Sequence, residues 1–448
     1  MHPARALPSV RQTSSPGWLA YSPFPSRLFL PPRHGVETYL LIWLGITIFA
    51  GAIVIFDIAY NMMTVSSIGL FLLFGLRMDR ANVPLLFFLI LYNIAGLMAL
   101  QPHLDFAESR DFMIGTCYVA VTAVFYCLVL NENAIARLEA IKWGLIAGGL
   151  VASIAGIVGY LRIAGLDAYF VMHGSRASGT FRDPNVLGSF LVLPALFLLN
   201  DLVRGMRGWA LKAALAAPII LAILLSFSRG SWAAMVIGAG ILCLLNAITA
   251  RDSAVRARLA LFSMIAVACG ALALAAILSI DSIYEAFADR FTLQKDYDSG
   301  PSGRFGNQLR SLPVLLDLPF GFGPNRFWIF YTENPHNTFI MAFASYGWLG
   351  GISFLAFTIT TVVISFKTCM LRTPFQPYAI VVFSALIPHI VQNFQIDTDR
   401  WRHLFLIYGL SWGLAAISRR WLSEYRSYAH QAYRDQKTLA SGYAPAGS

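Results

Sequence analysis

His336 stands in the run Asn334-Pro335-His336-Asn337, where a long hydrophilic stretch, residues 281–337, gives way to an apolar one. An imidazole titrates near neutrality and can take a proton from a hydroxyl that is becoming a nucleophile. Arg176, Arg182, Arg229, Arg304, Arg310, Arg326, Arg400 and Arg402 fall in polar segments that alternation of the apolar runs assigns to the same side of a membrane as His336. Guanidinium keeps its charge and grips phosphate oxygens two at a time. Any one of these arginines could simply meet lipid phosphate or an acidic neighbour. Several of them with a histidine on one face suit an anionic, lipid-linked substrate.

The elements that must position these residues are apolar. Of 448 residues, 57% are hydrophobic and 12% charged, and the mean hydropathy is +0.63. A soluble domain carries about 25% charged residues, so the chain reads as an all-α polytopic membrane protein. About twenty apolar residues make a span. Twelve segments qualify, roughly 38–59, 62–77, 83–101, 112–130, 143–162, 184–200, 209–227, 231–249, 259–280, 338–366, 377–394 and 402–418. That gives about 12 transmembrane helices with one long loop, 281–337, inserted in a membrane domain of residues 38–418.

Residues 1–37 are rich in Pro, Ser and Arg and lack an apolar core with a small-residue cleavage site. They read as a disordered cytoplasmic tail rather than a signal peptide, and residues 419–448 as a second one. With both tails inside, 21 of the 33 Lys and Arg lie on the cytoplasmic side, as the positive-inside rule requires. The net charge of +10 then reports topology, and no nucleic-acid partner is implied. The five cysteines, Cys117, Cys127, Cys243, Cys269 and Cys369, have no metal or disulfide spacing.

Four blocks stand out. Gly179-Thr180-Phe181-Arg182-Asp183-Pro184-Asn185 is a turn followed by a helix start, with Pro early in the helix; Arg176 and Arg182 add anion contacts. Ser226-Phe227-Ser228-Arg229-Gly230-Ser231 joins two spans at the outer face, where a short apolar hairpin needs no charge. Gly303-Arg304-Phe305 and Pro319-Phe320-Gly321-Phe322-Gly323-Pro324-Asn325 lie in the long loop. His336-Asn337-Thr338-Phe339-Ile340 opens an apolar run too long for one straight span, and Gly347 marks a break in it or a close helix approach. Asp397-Thr398-Asp399 reads as a partner for Arg400 and Arg402 rather than as a metal-binding pair.

A secondary transporter is the competing class, because twelve spans with both ends inside suit that architecture. Gly75-Leu76-Arg77-Met78-Asp79-Arg80-Ala81-Asn82 begins like a major-facilitator loop and then departs from it. The long loop also falls late in the chain and outside, not mid-chain and inside.

In order and spacing the four blocks resemble the O-antigen ligase family and the related O-antigen and exopolysaccharide polymerases. The resemblance spans residues 175–365. His336, Asn337, Gly347 and Gly350 match the family's His-Asn and glycine pattern, with Ile340 where Leu is frequent. The resemblance implies a multi-pass bacterial inner-membrane glycosyltransferase of the GT-C type with a periplasmic active site and loop. Its partners would be a glycan donor on undecaprenyl diphosphate, a glycolipid or glycan acceptor such as lipid A-core, and membrane lipids. No metal or other cofactor is implied. Carried over by position, His336 is the catalytic base or acceptor-orienting group, and Arg229 and Arg304 are the diphosphate clamps. Arg176, Arg182, Asn185, Ser228, Asn337 and Arg326 are the further substrate-binding candidates.

The charge asymmetry predicts that cysteine labelling from outside will reach residues 281–337 and neither tail. A loop labelled only from the cytoplasm would remove the outer-face site.

Overall fold

A computed structural model describes residue 28 and residues 34–54, 57–172, 176–250, 252–261, 264, 303–331 and 333–442. Nearly all of the expected span 259–280, the loop segment 281–302 and most of the N-terminal tail lie outside the described residues.

The helices are α1 (His34–Ala50), α2 (Asp57–Phe74), α3 (Val83–Leu100), α4 (Ala107–Val129), α5 (Ala134–Tyr160), α6 (Pro184–Val203), α7 (Trp209–Leu225), α8 (Arg229–Thr249), α9 (Arg304–Asp317), α10 (Thr338–Met370), α11 (Gln376–Gln392) and α12 (Arg402–Gly442). Between α5 and α6, β1 (Val171–Met172) and β2 (Arg176–Ala177) pair antiparallel. The chain is an all-α membrane protein. Among the described residues, six helices are long and apolar enough to span a bilayer, including those at Ala107–Val129, Pro184–Val203 and Thr338–Met370. Apolar helices of 10–17 residues, such as Trp209–Leu225 and Gln376–Gln392, stand where four more spans were expected. The long loop is not wholly irregular, since α9 lies within it.

Composition explains the arrangement. α6 is apolar around its whole circumference and 83% of its apolar window is buried, so it is a central helix with α5, α7, α8 and α11 packed about it. α10 lies along α3, and α12 along α4. α12 is buried from Leu404 to Ser418, then becomes charged and increasingly exposed as far as Asp435. One helix therefore joins the last expected span to the expected C-terminal tail. α1 starts at His34, so Glu37, placed by sequence at the end of the N-terminal tail, is buried. Its carboxylate takes Nε and Nη2 of Arg137 on α5 at 2.9 and 3.0 Å. Such a pair holds only while both partners are present.

The break expected at Gly347 is real. Within α10 this residue has φ 67° and ψ −163°, a region open in practice to glycine alone. The interruption frees helical backbone groups, and the turn Pro319–Phe322 takes them. Phe322 N–H donates to Ala344 O at 2.7 Å, and Trp348 N–H donates to Pro319 O at 2.9 Å. Gly321 makes the approach possible: with φ +70°, a Cβ there would stand 2.5 Å from Ala344 O. The glycine-rich loop block is thus the plug of a broken transmembrane helix.

Gly347→Ala should cost about 1–3 kcal/mol in backbone strain alone, and its methyl would also strike Pro319 O. A lowered unfolding midpoint in detergent and faster proteolysis within 319–325 are expected. An unchanged midpoint would mean that the turn does not depend on this geometry.

Candidate active site

Apart from the glycine-rich turn at Pro319–Asn325, each of the sequence blocks proves to be the start of a helix. Asp183 caps α6, its Oδ1 accepting from Asn185 N–H at 2.6 Å, with Pro184 in the first turn. Ser228 caps α8, its Oγ accepting from Ser231 N–H at 3.3 Å. Gly303 precedes α9. Asn337 caps α10, its Oδ1 accepting from Phe339 and Ile340 N–H at 3.1 and 3.2 Å. The positive ends of helix dipoles attract anions.

Contacts tie these starts to one end of the bundle. Arg176, 8% exposed, donates from Nε to Ser226 O at 2.9 Å and from Nη2 to Asn185 Oδ1 at 2.7 Å. It therefore staples the first block to the second. Ser231 Oγ donates to Asn185 O at 3.3 Å and to Ser228 Oγ at 3.0 Å, joining the starts of α6 and α8. Phe227, at φ 47°, closes the turn that sets Arg229 as the first residue of α8. Arg229 is half-buried there, and Arg182 is exposed on the turn before α6. Gln392, at the end of α11, donates to Ser189 Oγ of α6 at 2.9 Å. Its amide also lies against Gly230, beside Arg229.

The segment following α11 reaches His336. Thr338 is the hub: its N–H donates to Asn393 O at 2.7 Å, and its Oγ1 accepts from Thr398 N–H at 2.9 Å. The stitching brings Asp397 beside His336, with Oδ2 3.6 Å from Nδ1. That separation places the two groups side by side but is too long for a hydrogen bond. His336 has φ 47°, a left-handed turn immediately before the Asn337 cap. From the other side, Gln308 of α9 donates Nε2 to Pro335 O at 2.6 Å. Arg304 stands one turn before Gln308, on the same face of α9; its side chain lies outside the described parts of the structure.

The candidates therefore divide. The described contacts bring Arg176, Asn185, Ser228 and Arg229 together, and they bring His336, Asn337, Asp397 and the start of α9 together. Gln392 and the segment after it link the two groups. The side-chain oxygens of Ser228 and Asn337 accept capping bonds, and two guanidinium N–H groups of Arg176 make the staple. Arg326 goes elsewhere: its guanidinium lies 4.0 Å from the centroid of Phe106, between α3 and α4. There Ser109 Oγ also donates to Pro324 O at 2.8 Å.

Sequence reasoning assigned Asp397 and Asp399 jointly to Arg400 and Arg402. Asp399 is the carboxylate near Arg400, at 3.7 Å, while Asp397 faces His336. Burial pushes the Asp399 carboxyl up from its ordinary value, against the pull of Arg400. Arg400 and Arg402 lie over Phe112 and Tyr60, 4.3 and 4.7 Å from the ring centroids. Both line a cavity of about 220 Å³ against Phe181 and Phe190. Both also line a groove of about 590 Å³ between α2 and α4, floored by Met62, Val65 and Ile114. Only the segment's folding back onto Thr338 reveals Asp397, so no local motif could have signalled it.

No curated protein matches the chain. A family model described as O-antigen ligase matches residues 214–355, a segment that runs from within α7 through the first half of α10. This segment, which carries Arg229, Arg304 and His336, is similar to the O-antigen ligase family over about a third of the chain.

Proposed function

We propose that the protein transfers a glycan from undecaprenyl diphosphate to an acceptor hydroxyl, in the manner of a ligase, at the periplasmic end of the bundle. The observation that carries this reading is the meeting of His336 with Asp397 at the end of the bundle where Arg229 and Arg304 begin their helices. The acceptor oxygen attacks the anomeric carbon, and the bond from that carbon to the diphosphate oxygen breaks. The acceptor's proton passes to His336. Asp397 lies on the Nδ1 side, which favours a proton there and leaves Nε2 as the accepting nitrogen. Negative charge grows on the departing diphosphate, and fixed guanidinium groups in a site of low dielectric stabilise it. On this reading Arg229 and Arg304 supply that stabilisation in place of a divalent ion. Arg400 and Arg402, at the head of the groove between α2 and α4, offer a place for the phosphates of a donor whose polyprenyl chain runs along Met62, Val65 and Ile114.

The position of the site argues against a transporter, whose substrate site lies near the bilayer midplane. Ligase and polymerase differ in the acceptor. The deciding experiment is reconstitution of the purified protein with undecaprenyl-diphosphate glycan and candidate acceptors. A single transfer to lipid A-core or another lipid supports the ligase reading, and growth in glycan length supports a polymerase.

His336→Ala should lose about 10²–10⁴-fold in transfer rate, the usual worth of a general base, while still binding donor. Asp397→Asn should show a smaller loss in the same assay. Wild-type turnover in the alanine variant would end the proposal. EDTA should leave the rate unchanged; inhibition reversed by added Mg²⁺ would overturn the metal-independent mechanism.

Arg229→Ala and Arg304→Ala should each nearly abolish transfer without loss of membrane insertion. Lysine at either position should rescue only in part, because a point charge lacks the two-pronged geometry. Near-normal turnover in both alanine variants would place the diphosphate elsewhere.

A further inference from the structure

At the end of the bundle away from His336, a cavity of about 720 Å³ opens between the beginning of α5, the end of α6, the beginning of α7 and the beginning of α11. α6 has 20 residues, so the two ends lie about 30 Å apart, close to a bilayer's hydrocarbon thickness. The volume is that of a ligand pocket rather than a water site.

Its charges are unevenly matched. Asp201 Oδ2 serves two lysines at once, with Lys142 Nζ at 2.7 Å and Lys212 Nζ at 3.4 Å. Glu139, 3.5 Å from Lys142, also accepts from Tyr378 Oη at 2.5 Å. Asp252 is engaged in a turn, accepting from Ala254 N–H at 2.8 Å. Arg204, at the end of α6, donates to the neutral amide of Asn246 at 3.1 Å, and its burial lowers its pKa. Arg207 is exposed on the wall of the cavity. Among the described residues of the wall, four cations thus face three carboxylates, which leaves one positive charge in excess.

The surroundings say which anion. Trp143 and Trp209 stand near the opening, 41% and 69% exposed, and Leu211 beside Trp209 is 62% exposed. Amphipathic rings of this kind sit at the headgroup level of a membrane, with apolar surface alongside for acyl chains. We propose that this cavity is a second ligand site, which holds the phosphate of an anionic phospholipid headgroup between Arg204, Arg207, Lys142 and Lys212. The site is independent of the transfer reaction and stands or falls without it.

Native mass spectrometry of the full-length protein in detergent tests the proposal. Phosphatidylglycerol should bind in preference to phosphatidylcholine with the same chains. Removing a cation should weaken binding about fivefold each time, first in Arg207→Gln and further in Arg204→Gln/Arg207→Gln. Equal binding of the two lipids, or undiminished binding in Arg207→Gln, would overturn the proposal. Arg207 is exposed, so that variant decides the matter even where loss of Arg204 impairs folding. Inorganic phosphate distinguishes the source of the anion. Displacement of phosphatidylglycerol by millimolar phosphate would make this a site for a free anion and overturn the lipid assignment; failure to displace it supports the lipid.

Discussion

A backbone group inside a bilayer must find its partner within the protein, and the interruption of α10 at Gly347 applies that demand at one place. Ala344 O and Trp348 N–H lose their helical partners, and the turn at 319–322 replaces them. The replacement fixes more than the turn. Trp348 Nε1 donates to Leu315 O of α9 at 3.0 Å, so α9 is clamped where α10 breaks. One end of α9 is held there, and Gln308 further back clasps Pro335 O. The peptide before His336 is therefore positioned by a helix that is itself positioned by the break.

From that end outward, the site is built of helix starts. A helix start leaves N–H groups unsatisfied, and the caps Asp183, Ser228 and Asn337 answer them with side-chain oxygens. Because α6, α8, α9 and α10 all begin here, their dipoles add a positive field to that of the arginines. The carboxylate of Asp397 is set against that field beside His336. On the proposed reading, the departing diphosphate leaves into that positive field.

Much of this was legible in the sequence, for definite reasons. Asp-Pro-Asn, Ser-x-Ser-Arg and His-Asn-Thr are local signals, and a local signal survives whatever the tertiary fold does with it. The break at Gly347 was legible because an apolar run of that length cannot be one straight span. The use made of the blocks was not. Ser228 and Asn337 look like polar site residues, but capping is the stronger claim on their oxygens. Arg176 reads as an anion ligand, and nothing local signals that it also ties Asn185 to Ser226 O. Asp397 and Asp399 are two residues apart, yet the first faces His336 and the second Arg400. Long-range stitching through Thr338 separates them, and no spacing rule contains it. Residues 265–302, expected to hold the rest of the ninth span and the first part of the long loop, lie outside the described residues.

The outer arginines also differ in how their charge is held. The guanidinium of Arg176 donates to a carbonyl and an amide. Arg326, Arg400 and Arg402 instead rest on Phe106, Phe112 and Tyr60. An aromatic face steadies a cation without neutralising it, and a guanidinium lying on a ring keeps its donating edge directed outward. At Arg326 the stacking on Phe106 accompanies the Ser109–Pro324 hydrogen bond, which docks the glycine-rich turn to the start of α4. Arg400 and Arg402 have open volume on both sides, one cavity among aromatic rings and one groove against lipid-facing side chains. Among the outer arginines, these two combine a place on an aromatic face with apolar surface alongside.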